Sequence, residues 1–584
     1  MPAYDLQWVE SLEENQNLYK QMEQEVDACT EVRVNIRTRI KRFLKEQGIQ
    51  HISELDYPLR ETYEAYLMEN ETILPHVSCL SSFDKIKIHS MREEMQTLAG
   101  RRKYSLTYTN QILFLLYYPQ LEIAEGFKMS RNKQELVWDF SIAASEHVKR
   151  QIFDVLNELL RLLPAGWWRK VRLLALRYLY EFCIREDIQD IEAMELEDEI
   201  RFKEFLLPHM TTKRNLQETM AIVEYSRKIL FLQSKEIHWE ANVWYLDRFH
   251  FSKERLNPSN PVKSISFTEI KEKENKELLK KFTRYLLGVT DLSISTILRK
   301  FMVIRTFLAY FDETEKNVIG LNAVDIDAYL KRSRVIECLD KTFNMYVFDL
   351  LQFYKFLLVK GYIKKIPFHP EYYLKRVVDV HHDRSVSDEV CEEIVSKLKY
   401  FPEHLRLMFL HLWCIGLRCS EVCTLNGDAY EWKNDDTWIK VYQIKAKTYK
   451  RIPIPKALYR LMEIYIRKNK ITSQEYIFQN KAGGAYYYQT FRTQMLKYCR
   501  ELNIANGEYL FQSHGFRHGV ATQFYDSGIS IQAVRDYLGH DYESMTRQYV
   551  DFMPKKLEKA NEEYFSNPEF SLGAEFMKGD SYGK

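Results

Sequence analysis

Apolar residues recur three and four positions apart along most of this chain, and three stretches share one layout. Ile40-Lys41-Arg42-Phe43-Leu44 is followed by Ile52-Ser53-Glu54-Leu55 and closes on Tyr66-Leu67. Leu176-Arg177-Tyr178-Leu179 and Phe182 precede Ile191-Glu192-Ala193-Met194 and close on Phe205-Leu206. Ile304-Arg305-Thr306-Phe307-Leu308 and Phe311 precede Ile319-Gly320-Leu321 and close on Tyr329-Leu330. Each spacing predicts an Arg-bearing amphipathic helix, a short loop and a second helix. Ordinary helical hairpins have this pattern, and so would three related modules; the spacings differ enough that both readings stand.

Two segments interrupt the periodicity. Leu256-Asn257-Pro258-Ser259-Asn260-Pro261 carries two prolines, and a stretch from Pro367 to Ser385 lacks a helical period. Between them, residues 269–384 predict four helical segments. Beyond Ser385 the pattern changes. Val390 to Leu425 reads as helical, with Arg418 toward its C-terminal end. Thr437-Trp438-Ile439-Lys440-Val441-Tyr442 is β-branched and aromatic and predicts a strand. Arg451-Ile452-Pro453-Ile454 predicts its partner across a Lys-rich turn, and helices resume at Lys456.

Composition supports long helices. Gly and Pro number 19 and 15 in 584 residues, about half the usual share of roughly 12%, which disfavours sandwiches and propellers. Hydrophobic residues at 46% exclude wholesale disorder. The net charge of +2 announces no global polyanion partner. Locally, residues 269–384 carry 21 Lys/Arg against 16 Asp/Glu, a surplus of five, while Glu186 to Glu204 is acidic and unsuited to lie on phosphates. Nine cysteines without regular spacing fit a reducing compartment. The polar start Met1-Pro2-Ala3-Tyr4-Asp5 does not read as a signal peptide. No apolar run reaches the roughly 18 residues of a membrane helix. The expectation is a soluble cytoplasmic protein.

The last 200 residues hold a set of side chains suited to phosphodiester chemistry. Breaking such a bond without a metal needs a nucleophile, cations for the non-bridging oxygens, a base and an acid. Arg418 lies in Gly416-Leu417-Arg418-Cys419-Ser420-Glu421, and Lys445 in Ile444-Lys445-Ala446-Lys447. His514 and Arg517 lie in His514-Gly515-Phe516-Arg517-His518. His540 ends Leu538-Gly539-His540, and Tyr549 follows nine residues later. Singly these are commonplace: a surface arginine, a solvated helix face, a helix cap, a packing tyrosine. Their ordered conjunction is specific. Cys414, Cys419 and Cys423, with His411 nearby, fit no standard zinc spacing and read as packing, so no metal site is expected.

The conjunction resembles the tyrosine recombinase (phage integrase) family, whose pattern is an Arg in a G-L-R-x-S-E run, a hairpin Lys, an H-x-x-R box, an L-G-H and a Tyr about nine residues on. The resemblance covers 385–565 strongly, and 269–370 looks like the family's SAM-like helical core-binding domain. The length and the Asn257-Pro258 to Ile270 junction are similar to longer recombinase-type transposases of Gram-positive mobile elements. The fold class this implies is mainly α, with helical N-terminal modules, the core-binding domain and a C-terminal α+β catalytic domain containing a small β-hairpin or sheet. Residues 1–260 form a helical region of unassigned role, read as two modules, about 1–135 and 136–260. Residues 371–384 are a linker and 566–584 a tail.

The resemblance implies a role for each residue. Tyr549 attacks the scissile phosphate and leaves a 3′-phosphotyrosyl bond, so no cofactor is needed. Arg418 and Arg517 hold the non-bridging oxygens. His514, expected to titrate near neutrality, accepts the tyrosine proton, and His540 hydrogen-bonds the phosphate. Lys445 protonates the leaving 5′-oxygen, with Lys447 as its rival. Glu421 orients Arg418 through an i, i+3 pair or is a solvated carboxylate. Ser295, Thr296, Arg299, Lys300, Arg305 and Lys447 are candidate contacts to the DNA backbone. The helix after Pro554 docks on a neighbouring subunit or folds back. The partners implied are double-stranded DNA and further recombinase subunits, as a tetramer in synapsis or with a second recombinase, and no membrane. Alternatives are a type IB topoisomerase-like enzyme, which relaxes arbitrary DNA, and a catalytically silent DNA-binding accessory protein.

Overall fold

The computed structural model describes residues 19–69, 76–109, 111–130, 132–314, 316–332, 338–377, 386–543 and 546. The chain divides into two compact units, Met1–Arg248 with Ser264–Glu269, and Phe249–Lys263 with Ile270–Lys584. The described residues are mainly helical, with three small antiparallel sheets, which is the expected class.

In the first unit, α1 (Lys20–Ala28), α2 (Val34–Glu46), α3 (Tyr57–Glu69) and α4 (His76–Glu94) form one helical module. The short α5 (Leu98–Lys103), β1 (Ile112–Phe114), α6 (Leu121–Glu125) and β2 (Val137–Asp139) lead to a second module. That module comprises α7 (Glu146–Leu162), α8 (Trp167–Arg185), α9 (Leu196–Leu206) and α10 (Lys213–Gln233), followed by β3 (Val243–Tyr245) and β4 (Ser264–Ser266). The second unit opens with a third: α11 (Lys273–Val289), α12 (Ile294–Asp312), α13 (Ala323–Leu330) and α14 (Asp340–Val359).

The three modules repeat one construction. The turn between the second and third helices is written apolar-x-x-apolar-cap: Ile52 and Leu55 before Asp56, Ile191 and Met194 before Glu195, Val318 and Leu321 before Asn322. All six apolar side chains are buried. Asp56 accepts from the Leu59 N–H at 2.9 Å and Asn322 from the Val324 N–H at 2.8 Å, while Glu195 closes a box with Asp198, so each third helix starts on a side-chain cap. One aromatic pair bridges the second and third helices: Phe43–Tyr63 at 4.9 Å, Phe182–Phe202 at 5.1 Å and Phe307–Tyr329 at 4.9 Å.

Buried turn carbonyls need donors. Lys87 Nζ supplies them at Ile52 O (3.1 Å) and Ser53 O (2.7 Å), and Arg227 supplies them at Ile191 O (3.1 Å) and Met194 O (2.6 Å). In the third module Asn275 replaces these cations, donating to Lys316 O and accepting from the Val318 N–H. Core positions also recur: Ile152, Val155 and Leu159 of α7 match Leu279, Phe282 and Leu286 of α11, each 127 residues on, and all six are buried. The two-stranded sheets repeat as well. β1 pairs with β2 through Leu113–Trp138, and β3 with β4 through Trp244–Ile265. The Phe140 N–H extends the first sheet to Gln111 O at 3.0 Å, as the Phe267 N–H extends the second to Asn242 O at 2.8 Å.

The C-terminal domain contains α15 (Asp388–Lys397), α16 (Glu403–Ile415), α17 (Cys419–Cys423), β5 (Tyr430–Lys433), β6 (Asp436–Gln443), β7 (Thr448–Pro453), α18 (Lys456–Lys468), α19 (Tyr488–Glu501), α20 (Ser513–Asp526) and α21 (Ile531–Leu538). The strands make an antiparallel β5-β6-β7 sheet, with Val441 opposite Lys450 and Ile439 opposite Ile452. Alternation along β7 turns Lys450 and Ile452 inward and Tyr449 and Arg451 outward. The expected hairpin is present, and β5 adds a strand the sequence reading did not foresee. The stretch from Val390 to Leu425 is helical as expected, and it is broken twice. Pro402 starts α16 after a 3-10 turn, and Gly416, at φ +63°, ends it in the left-handed region. Arg418 therefore caps a new short helix rather than lying inside a long one.

Phe182 is 1% exposed and joins the second module's core to its turn. Phe182→Ala should cost about 3–5 kcal/mol, read as an earlier unfolding transition in chemical denaturation of the full chain.

Candidate active site

The site is assembled from three chain segments that meet at the C-terminal end of α21. The first is the break after α16. Arg418 caps α17, its Nη1 donating to Glu421 Oε1 at 2.8 Å and its backbone N–H to Glu421 Oε2 at 3.0 Å. Glu421 is 1% exposed, which decides against a solvated carboxylate. Burial acts to raise its pKa, but the charges of Lys450, Arg517 and Arg418 prevail and hold it below the ordinary carboxylate value.

The second segment is α20, where His514 and Arg517 lie one turn apart. Arg517 is 1% exposed. Its Nη1 donates to Gly416 O at 2.8 Å and its Nη2 to Leu538 O at 2.7 Å, tying α20 to both the α16 break and the end of α21. The third segment is Leu538-Gly539-His540. Arg517 Nη2 lies 2.9 Å from His540 Nε2, and His540 Nδ1 lies 2.9 Å from Thr546 Oγ1. A guanidinium only donates, so Nε2 accepts and the proton of neutral His540 sits on Nδ1. Burial, then the charges of Arg517, Arg418 and Lys450, push this imidazole down to about 3. In this arrangement His540 holds Arg517 rather than presenting a donor to a phosphate.

Gly539 is required twice. Its φ is +69°, and a Cβ there would lie 2.1 Å from Gln443 Nε2, the group that donates to Gly539 O at 3.0 Å. The glycine thus both caps α21 and lets β6 approach.

His514 was expected to titrate near neutrality. Desolvation, then the positive charges of His518, Arg517, Arg418 and Lys445, push it down to about 4. His518 is buried, its ring 5.6 Å from that of His514. Lys445 is exposed on the β6–β7 turn, within the electrostatic reach of His514. Lys447 instead sends its Nζ to Asp291 O at 3.4 Å.

Five of the six sequence-selected residues therefore share one electrostatic neighbourhood. Tyr549 and the segment after Pro554 lie outside the described residues. The α12 candidates are placed elsewhere. Ser295 and Thr296 sit in the first turn of α12, where both hydroxyls meet Ser293 Oγ, the cap, at 3.2 and 2.8 Å. Arg299 and Lys300 both pair with buried Asp349 of α14, and Arg305 lies over the Phe301 ring at 5.7 Å. The Cys419 and Cys414 thiols are pushed up by burial, Cys414 to about 11. His411 is buried between Leu407 O at 2.6 Å and the Tyr430 hydroxyl at 2.5 Å.

Sequence reasoning missed Lys450. It is buried on β7, 3.5 Å from Glu421 Oε2, and donates to Leu538 O at 3.2 Å. An inward lysine between outward Tyr449 and Arg451 on a strand carrying the hairpin turn was the available signal.

The centre thus gathers the buried Arg517, a partly buried Arg418 oriented by the buried Glu421, and the imidazoles of His514 and His540. Residues 384–555 match the sequence model of the phage integrase family. It is 28% identical over 331 residues to transposase B from transposon Tn554 of Staphylococcus aureus, an alignment covering 55% of this chain and 52% of that protein. It is 24% identical over 279 residues to a tyrosine recombinase of Pseudothermotoga lettingae, covering 47% of this chain and 93% of that protein. The chain thus spans about half the length of the Tn554 transposase it matches. Among solved structures, XerH recombinase bound to difH in a post-cleavage complex matches at TM-score 0.39 and 17% identity, covering 51% of this chain and 90% of that one. The Tn1549 integrase bound to transposon right-end DNA matches at TM-score 0.39 and 16% identity, covering 50% and 99%. Among the described residues no helix is long and apolar enough to cross a membrane.

Two expectations follow. Gly539→Ala should strain the cap by about 1–2 kcal/mol and displace Gln443, lowering the melting temperature and shifting the His540 ring signal in NMR. Second, His411 and His540 stay neutral down to about 4 and about 3, against roughly 6.5 when unfolded. Below pH 6.5 the unfolded state therefore binds more protons, and stability falls as pH falls. Melting temperature should drop between pH 7 and 5, and His411→Gln should reduce that drop.

Proposed function

We propose that this protein is a site-specific DNA recombinase that breaks and rejoins duplex DNA in transposition, integration or excision of a mobile element. The observation that carries this reading is the convergence of Arg418, Arg517, His514 and His540 on one neighbourhood, with the turn bearing Lys445 beside it.

The side chains divide the work. The Tyr549 phenol oxygen attacks phosphorus as its proton passes to His514. Arg418 and Arg517 neutralise the non-bridging oxygens, and their planar forks suit that geometry. The 5′-oxygen leaves with a proton from Lys445, whereas the Lys447 amine is directed to Asp291 O. The 3′-phosphotyrosyl ester conserves the bond energy, so the reverse attack by a 5′-hydroxyl reseals the strand without metal or nucleotide. The chain acts on double-stranded DNA in the bacterial cytoplasm, in a tetramer or together with a second recombinase, and the third helical module meets the duplex through the start of α12.

A suicide substrate carrying the cognate site tests the chemistry. The wild-type chain should form an SDS-resistant protein–DNA adduct that Tyr549→Phe abolishes, and Arg418→Ala should slow its formation by about 10²–10³-fold. An undiminished adduct in Tyr549→Phe would refute the nucleophile. Relaxation of supercoils without sequence preference would point to a topoisomerase instead, and binding without any adduct to an accessory protein.

A further inference from the structure

Four charged side chains in the centre are packed tightly enough to act as one unit, and the fourth, Lys450, has no part in the chemistry described above. Its ammonium lies 3.5 Å from Glu421 Oε2, while the other oxygen of that carboxylate holds Arg418 at 2.8 Å. The same ammonium donates to Leu538 O at 3.2 Å, the carbonyl that also accepts Arg517 Nη2 at 2.7 Å. Lys450 thus shares one acceptor with each arginine. Its side chain is only 7% exposed and Glu421's only 1%, so the pair is shielded from solvent screening.

We propose, resting on the recombinase reading, that Lys450 is a positioning residue that divides the Glu421 carboxylate and the Leu538 carbonyl with the two arginines and so sets how both guanidinium groups are presented to a phosphate. The physical reason is competition for acceptors. With Lys450 charged, Glu421 is neutralised from two sides and holds Arg418 loosely enough for the guanidinium to turn toward an incoming anion. Without that charge, the full carboxylate falls to Arg418 and the Leu538 carbonyl to Arg517, and both are drawn back into the protein.

The groups facing Lys450 are Glu421 and Arg418 at α17, Arg517 on α20 and His540 after α21. Burial lowers its pKa, Glu421 raises it, and Arg517 and Arg418 lower it again, to about 8. The sign is then fixed. Below about 8 the ammonium is present and the arginines are available. As pH rises through that value the proton is lost and cleavage declines; a bound phosphate moves the midpoint upward.

The test compares wild type, Lys450→Met and Lys450→Arg in the full chain. Single-turnover adduct formation on the suicide substrate is followed from pH 7 to 9.5, with duplex affinity and melting temperature recorded for each. Lys450→Met should cleave about 10–100-fold more slowly at unchanged duplex affinity. Lys450→Arg, which keeps its charge, should recover most of the rate and lose the alkaline decline. Arg418 reactivity toward phenylglyoxal, read by peptide mass spectrometry on DNA-free protein, should fall in Lys450→Met and return in Lys450→Arg. Wild-type cleavage by Lys450→Met, or unaltered Arg418 reactivity in a folded Lys450→Met protein, would overturn the proposal. The reactivity readout needs no catalysis, so it decides this inference even if the wild type forms no adduct and the recombinase reading fails.

Discussion

Everything in the C-terminal domain is organised around the repulsion among three cations held in a largely buried place. Arg418, Arg517 and Lys450 would separate if nothing compensated them, and the compensating groups include the Glu421 carboxylate, the helix-end carbonyls Gly416 O and Leu538 O, and His540 Nε2. Buried charges persist only when paired and hydrogen-bonded, so the backbone must supply those carbonyls at fixed positions. That requirement explains the left-handed glycine at the end of each contributing helix, Gly416 after α16 and Gly539 after α21. It also accounts for two neutral histidines nearby, because an imidazolium would add a fourth or fifth positive charge. The arrangement leaves three cations around a single carboxylate among the described residues.

The helical part of the chain has a different logic. A four-helix module with one buried turn occurs three times, and the turn's carbonyls are answered by Lys87, by Arg227 and by Asn275 in the respective copies. The buried cations of the first unit are thereby explained as structural locks. In the third copy the neutral amide does the same work, and the basic side chains of α12 converge on Asp349.

Much of this was legible in the sequence. The paired apolar residues of the turns, Ile52 with Leu55 and Ile191 with Met194, stand out because both are buried on one face of a tight turn; in the third copy the turn begins at Val318, one residue before the Ile319 that periodicity selected. The hairpin was visible from β-branched and aromatic residues, and the order of the motifs picked out the five described side chains that fold into one neighbourhood. What periodicity cannot show is a helix broken by backbone geometry, as at Gly416, since apolar spacing continues across the break from Leu412 to Leu417 and Val422. Nor can it show which lysine of a Lys-rich hairpin turns inward, because strand register decides that for Lys450. The depressed titration of His514 comes from desolvation and then from charges brought together by folding, which no local pattern carries.

The central claim is that these cations exist to hold a phosphate in line with the Tyr549 phenol. A crystal structure of the full chain on its cognate duplex, cut at the scissile position and soaked with orthovanadate, addresses this directly. The account predicts vanadium bonded between the tyrosine oxygen and the DNA ends, with its non-bridging oxygens contacted by Arg418 and Arg517. Vanadate bound elsewhere, or Tyr549 remote from a vanadate that the arginines do hold, would contradict it.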